Sequence, residues 1–215
     1  MSMENIVAGL ALFQKGGLVM YVLLLCSLFV MAIGLERFQY FRRMDSGRDF
    51  ARSFAELMGA DDYAGALRLA QETSGNIADI VVQAAVRAAD GQDVSSFMEI
   101  QSGVTLAHFR QRLYYLHVIV TMAPLLGLLG TISGMISAFS VFNMQSAQAA
   151  AITGGVGEAL IATAFGLCVA IMALAVHAFF VQWVENIVTD MEQVFSLVEA
   201  SQSELTKVGA AYAFA

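Results

Sequence analysis

The sequence predicts an all-α integral membrane protein: three long transmembrane helices that extend into a cytoplasmic helical bundle and self-associate. Three observations carry this. Apolar residues make up 58% of the 215 positions and charged residues only 13%, far from the balance of soluble domains. The stretches 18–35, 113–142 and 156–181 contain no Lys, Arg or Asp, and each is long enough to cross roughly 30 Å of hydrocarbon. Nine of the eleven Lys and Arg residues fall between the first two of these stretches. The net charge of −7 is carried, apart from Glu158, outside the apolar runs, and no basic patch points to nucleic acid.

Taken in order, residues 1–16 place Ile6, Leu10 and Phe13 on one helical face, which reads as an interfacial helix on the outer side. Glu4 stands where a secretory signal would carry positive charge. Residues 17–36 form the first span. Residues 37–112 form a helical region, cytoplasmic by the positive-inside rule, with Arg37, Arg42, Arg43, Arg48 and Arg52 just after span one and Arg110 and Arg112 just before span two. The N-terminus then lies outside and the C-terminus inside. Phe50, Phe54, Leu57 and Met58 make one stripe in this region, and Ile77, Ile80, Val81 and Ala84 make another. Asp61-Asp62 suits a helix start, and Gly59, Gly75 and Gly91 punctuate the pieces.

Residues 113–142 form span two. Tyr114, Tyr115 and His117 stand at its inner end, where an aromatic belt belongs. Gly127, Gly130, Gly134 and Ala138 recur every three or four residues and make a smooth face for close helix contact. Pro124, the one proline in the chain, marks a kink or a shifted contact in this span. Residues 143–155 are small or polar without Lys or Arg, an outer loop that merges with the start of helix 3. Residues 156–182 form span three, with Ala159, Thr163, Gly166, Ala170, Ala173 and His177 down one side. Residues 183–215 continue as an amphipathic cytoplasmic helix and tail on Val184, Ile187, Met191, Val194 and Val198. Three spans with two small-faced neighbours cannot enclose a pore alone, so self-association follows.

Glu158 is the only acidic residue between Leu113 and Trp183. A carboxylate in such a stretch marks an ion or proton path by default, although an acid in a first helical turn is also favoured by the helix dipole alone. Thr131 and Thr163 are the next polar candidates. A threonine in a span commonly bonds its own helix backbone, and Thr163 lies about 140° around the helix from Glu158. His117 and His177 fall at inner ends of their spans and suit interface anchoring or proton relay. Cys26 and Cys168 are isolated within apolar runs and read as small buried groups. No metal, cofactor or enzyme signature is legible. The nearest approach is Gly130-Thr131-Ile132-Ser133-Gly134 with His177, one residue longer than the GxSG of intramembrane serine proteases.

The segments APLLGLLGTISGMISAF (123–139) and GEALIATAFGLCVAI (157–171), with GADDYAGALRLAQ (59–71), resemble the MotA/TolQ/ExbB proton channel family and, within it, ExbB- and TolQ-type subunits. The resemblance implies a ring-forming homo-oligomer, a pentamer in the bacterial inner membrane around single-span partners of the ExbD/TolR type, whose membrane helix carries an aspartate. It also implies coupling to a force-transmitting protein of the TonB/TolA type. Glu158, Thr131 and Thr163 match family positions that line the proton path. The chain departs from the family at Met172, where proline is common, and at His177-Ala178, where an asparagine is expected. ExbB-like envelope transport is the function so implied. A TolQ-like role in envelope maintenance and a non-conducting helical scaffold are its rivals.

Overall fold

The computed structural model describes residues 17–144 and 149–212, without the side chains of 140–144, 149–154, 158 and 208–212. The helix read at 1–16 and the middle of the loop read at 143–155 lie outside the described residues. Among the described residues there are eight helices and no strand: α1 Gly17–Met44, α2 Arg48–Gly59, α3 Tyr63–Glu72, α4 Asn76–Ala89, α5 Val94–Arg110, α6 Leu113–Met144, α7 Ala149–Ala200 and α8 Gln202–Tyr212. Three helical stretches, built on α1, α6 and α7, are long and apolar enough to cross a membrane. α7 has 52 residues, about 78 Å at 1.5 Å per residue, so it continues well beyond any bilayer core. α6 stays helical through Pro124, although the proline ring removes one backbone donor.

The chain divides into two compact units. One holds the chain up to Leu35 with Arg112–Phe179; the other holds Glu36–Gln111 and the chain from Phe180 onward. In the first, Met20, Leu23, Val30 and Leu116 are buried, and beside them small residues lie inside while many large ones lie outside. Ala123, Ala138, Ala159, Ala162, Ala170 and Ala173 are buried, whereas Leu125, Leu128, Ile136, Phe139, Leu160 and Ile171 are exposed. A water-soluble surface does not carry so continuous an apolar band. Against lipid tails the arrangement is favourable, because close backbone packing rather than apolar burial holds membrane helices together.

The second unit is a helical bundle with its own aromatic core. Phe41 is fully buried, with ring centres of Phe109, Phe180 and Trp183 at 4.9, 5.2 and 5.2 Å. α2, α3, α4 and α5 pack in chain order, and α8 lies against α4 and α3. Local chemistry sets the helix starts. Asp62 accepts from the Gly65 amide at 2.9 Å and Asp93 from the Ser96 amide at 3.2 Å, each satisfying a donor that the first turn leaves free. The hydrogen bonds from Ser96 hold the Asp93 carboxyl below its usual range. α4 is different: Gly75 before it has φ 133° and no side chain to offer, so Ser46 accepts from the Ala78 amide at 3.2 Å. A Cβ on Gly75 would lie 2.6 Å from the Ser46 backbone nitrogen, so both the backbone angle and the close approach require glycine.

Arg37 is 3% exposed. Its Nε and Nη2 donate to the two carboxylate oxygens of Glu36, both at 2.7 Å, and its Nη1 donates to the carbonyls of His108 and Gln111 at 3.0 and 3.1 Å. The guanidinium also lies 4.7 Å from the Tyr40 ring centre. It therefore caps the C-terminus of α5, where unpaired carbonyls and the helix dipole favour a cation. Arg37→Ala is expected to cost about 1–3 kcal/mol, the range for losing hydrogen bonds from a charged donor to partly buried carbonyls, with Glu36 itself partly exposed to water. Chemical unfolding of the detergent-solubilised protein measures it. Arg37→Lys recovers only part, since an ammonium cannot form the fork and reach both carbonyls together. A wild-type midpoint for Arg37→Ala would refute the assignment.

Asp190 is 7% exposed, and its carboxylate lies 3.8 Å from the Arg48 guanidinium. Burial pushes its carboxyl above the usual range; Arg48 opposes the shift and the neighbouring Asp45 adds to it. Asp45 itself accepts from Trp183 Nε1 at 2.6 Å and from the Gly47 amide at 2.9 Å. A carboxyl raised in the folded state binds its proton more tightly there than in the unfolded chain. Its effect is to lower stability as pH rises from about 4 through the folded value. Asp190→Asn is therefore expected to match or exceed wild-type stability at neutral pH and to lose that advantage below about pH 4. Paired unfolding curves across pH check this; a neutral-pH loss that vanishes in acid would show that the ion pair outweighs burial.

Candidate functional site

α6 and α7 meet along an antiparallel seam in which neither helix has bulk to spare. A Cβ on Gly127 would lie 3.0 Å from Thr163 Cα, one on Gly130 2.6 Å from Ala162 Cβ, and one on Gly134 2.9 Å from Ala159 Cβ. From the other side, a Cβ on Gly155 would lie 2.7 Å from Ala138 Cβ, and one on Gly166 2.6 Å from the Ala123 carbonyl oxygen. One register thus pairs 138 with 155, 134 with 159, 130 with 162, 127 with 163 and 123 with 166. The half-buried Pro124 lies beside Ala123 in this seam, one turn from Gly127. Small residues at every third or fourth position produce this approach because a helix returns them to one face.

The close approach has a polar consequence. Thr163 Oγ1 donates to the Gly127 carbonyl at 3.0 Å, from one helix to the other. Thr131 Oγ1 instead donates to Leu128 O of its own helix at 2.7 Å. The two hydroxyls therefore have different roles: Thr163 joins the helices, whereas Thr131 is a partly exposed residue with local bonding. The expectation that a threonine bonds its own helix describes Thr131 and fails for Thr163, because glycine at 127 lets the neighbouring backbone come within reach. Each hydroxyl has committed its donor, and its oxygen can still accept.

Glu158 lies on α7, towards the Ala138–Gly155 end of the seam. Its backbone is helical and it directly precedes Ala159, which is buried opposite Gly134; its side chain is outside the described residues. Gly157 has open space where a Cβ would stand. Helix α7 begins at Ala149, so position 158 is more than two turns inside the helix. The dipole of a first turn falls off before that point, which removes the simplest non-functional account of the residue.

At the other end of the seam, the same register brings His117 of α6 against His177 of α7, with ring centres 5.5 Å apart. Taken separately in the sequence, the two histidines give no sign of this. Laying the two small-residue stripes antiparallel would have shown it, since His117 and His177 then fall opposite each other. The pairing also bears on Ser133. His177 lies at the level of His117, sixteen positions before Ser133 on α6 and so about 24 Å away along the helix. A Ser–His pair across that distance cannot transfer a proton directly.

A model of the MotA/TolQ/ExbB proton channel family matches residues 70–193, which takes in all of α6 and α7 as far as the end of the seam. An ExbB-like biopolymer transport protein of Synechocystis sp. is 33% identical over 172 residues, 76% of this chain and 67% of its own length. The biopolymer transport protein exbB1 of Vibrio cholerae is 26% identical over 192 residues, 86% of this chain and 84% of its own. An ExbB homolog of Methanothermobacter thermautotrophicus is 25% identical over 188 residues, 86% of this chain and 67% of its own. α7 runs unbroken through Met172 and His177-Ala178.

Proposed function

The chain belongs to the MotA/TolQ/ExbB proton channel family, and from that premise we propose that it is the channel-forming subunit of an inner-membrane motor driving envelope transport. In this reading a ring of identical chains, five in number, encloses a single-span partner of the ExbD/TolR type. The nine Lys and Arg residues of 36–112 hold the helical bundle in the cytoplasm by the positive-inside rule, with the N-terminus outside. Names of relatives as biopolymer transport proteins favour ExbB-like work over a TolQ-like role.

The observation that carries the proposal is the seam itself: a lone carboxylate position, a shared threonine hydroxyl and glycine-enabled backbone contact in an otherwise apolar pair of spanning helices. Each proton crossing 100 mV releases about 2.3 kcal/mol. A single carboxylate at position 158 provides a group that takes up and releases that proton, and the oxygens of Thr131 and Thr163 provide acceptors along its path. The proton then passes to an aspartate on the partner helix, and alternating protonation moves the partner within the ring.

Gentle purification and native mass spectrometry test the assembly. Five copies with a small single-span companion support the motor. A bare monomer or dimer under mild conditions would favour a non-conducting scaffold instead.

A further inference from the structure

The His117–His177 pair plays no part in the proposed proton path, yet it is the most unusual side-chain contact in the membrane unit. The ring centres are 5.5 Å apart with planes at 44°. Neither imidazole makes a hydrogen bond to another described residue. Two imidazoles on different helices, one exposed and one half-buried, thus stand side by side, and each neutral ring has one nitrogen able to bind a metal ion. The contact is also held there by structure, because the seam fixes the register of both helices along its length.

We propose that His117 and His177 form an exchangeable site for a late first-row transition metal ion, one imidazole from each helix. Two imidazoles sharing one tetrahedral ion, with Zn–N about 2.1 Å, have ring centres roughly 5 Å apart, close to the separation seen. Imidazole suits Zn2+, Ni2+ and Cu2+ and does not suit Mg2+ or Ca2+. Among the described residues no group of three His, Cys, Asp or Glu side chains converges to hold a metal. The protein therefore supplies two ligands and water the rest, which gives a site of moderate affinity. Such an ion would pin α6 to α7 at this level. The consequence for the motor rests on the function proposed above: a pinned seam slows any cycle in which the two helices shift.

The test uses the full chain with a tag that contains no histidine, in detergent with whatever companion copurifies. Zn2+ binding is followed by calorimetry and the coordination of Cu2+ by electron paramagnetic resonance. One Zn2+ per chain and a two-nitrogen Cu2+ signature are expected. Affinity should fall roughly tenfold or more in His117→Ala and in His177→Ala, and remain unchanged in His108→Ala. Wild-type affinity in both seam variants, a one-nitrogen signature, or binding lost in His108→Ala would overturn the site. His177→Asn, close in size, supplies the same comparison if an alanine variant does not fold, read as loss of the Zn2+-induced rise in unfolding temperature. Proton uptake into liposomes is the separate readout for the motor. Binding at the seam without any Zn2+ effect on uptake would count against a moving seam and leave the metal site standing.

Discussion

Replacing Glu158 with glutamine is expected to stop proton-driven work while leaving the complex assembled. Glutamine keeps the size and most of the hydrogen-bonding capacity of glutamate and removes the ionisable proton together with the charge it leaves behind. Flux through a path that depends on that proton should fall roughly 10²-fold or more, the scale on which losing a proton-transfer group acts. Glu158→Asp retains the group on a shorter stem and should keep part of the rate. The measurement is proton uptake into liposomes containing the purified complex, with native mass spectrometry on the same sample. Wild-type uptake by the glutamine variant would end the proposed role of Glu158, and a scaffold would then be the better reading.

The second large effect is structural. Gly166→Ala is expected to prevent correct packing of the spans. Its Cβ would lie 2.6 Å from the Ala123 carbonyl oxygen and 3.0 Å from Gly127 Cα, so the obstacle is backbone and no rotamer change relieves it. Overpacking of this kind costs about 1–3 kcal/mol, and more where the backbone cannot move. Gly157→Ala is the matched control, since no atom of the described residues lies within 4 Å of the added one; it should be neutral or slightly stabilising through helix propensity. Size-exclusion profile and thermal unfolding in detergent distinguish the two. Equal behaviour of both variants would mean that the seam yields more readily than its geometry implies.

Much of the architecture was legible because it depends on local periodicity. The three apolar runs appear as helical stretches long enough to span a membrane. In the bundle, Phe50, Phe54 and Met58 are buried and Leu57 is half-buried, while Ile77, Ile80, Val81 and Ala84 are all buried. Asp62 caps α3 as an aspartate before a helix should. What escaped the sequence lies far apart along it. Nothing local marks Arg37 among its neighbouring arginines as the buried one, because its carbonyl partners are 71 and 74 residues away. Ser46 caps a helix that starts thirty residues later, and the capping signal is invisible because the position before that helix is Gly75. Past the stripe that ends at Val198 the chain breaks at Ser201 and resumes as α8, whose Leu205 is buried to 1% exposure, a packing contact that no periodicity announced. Of the candidate site, the residue types were legible, whereas the bridge from Thr163 to Gly127 and the meeting of the histidines needed the register between two helices.

The aromatic core around Phe41 also sets a timetable for synthesis. Arg37 must wait 71 residues for the His108 carbonyl, and Asp45 must wait 138 residues for Trp183. At about 5–20 residues per second, these delays are roughly 4–14 s and 7–28 s. The bundle therefore cannot close when its first four short helices have emerged, because its interior includes Phe180, at the end of the last apolar run, and Val184 and Ile187 beyond it. Until then the packed rings of Phe41 and Phe109 lack Phe180 and Trp183 on the Phe41 side and remain open to chaperones and proteases. A ribosome that stalls before residue 180 would leave a chain that cell quality control can recognise by those rings, so completion of the third span and burial of the core become one event.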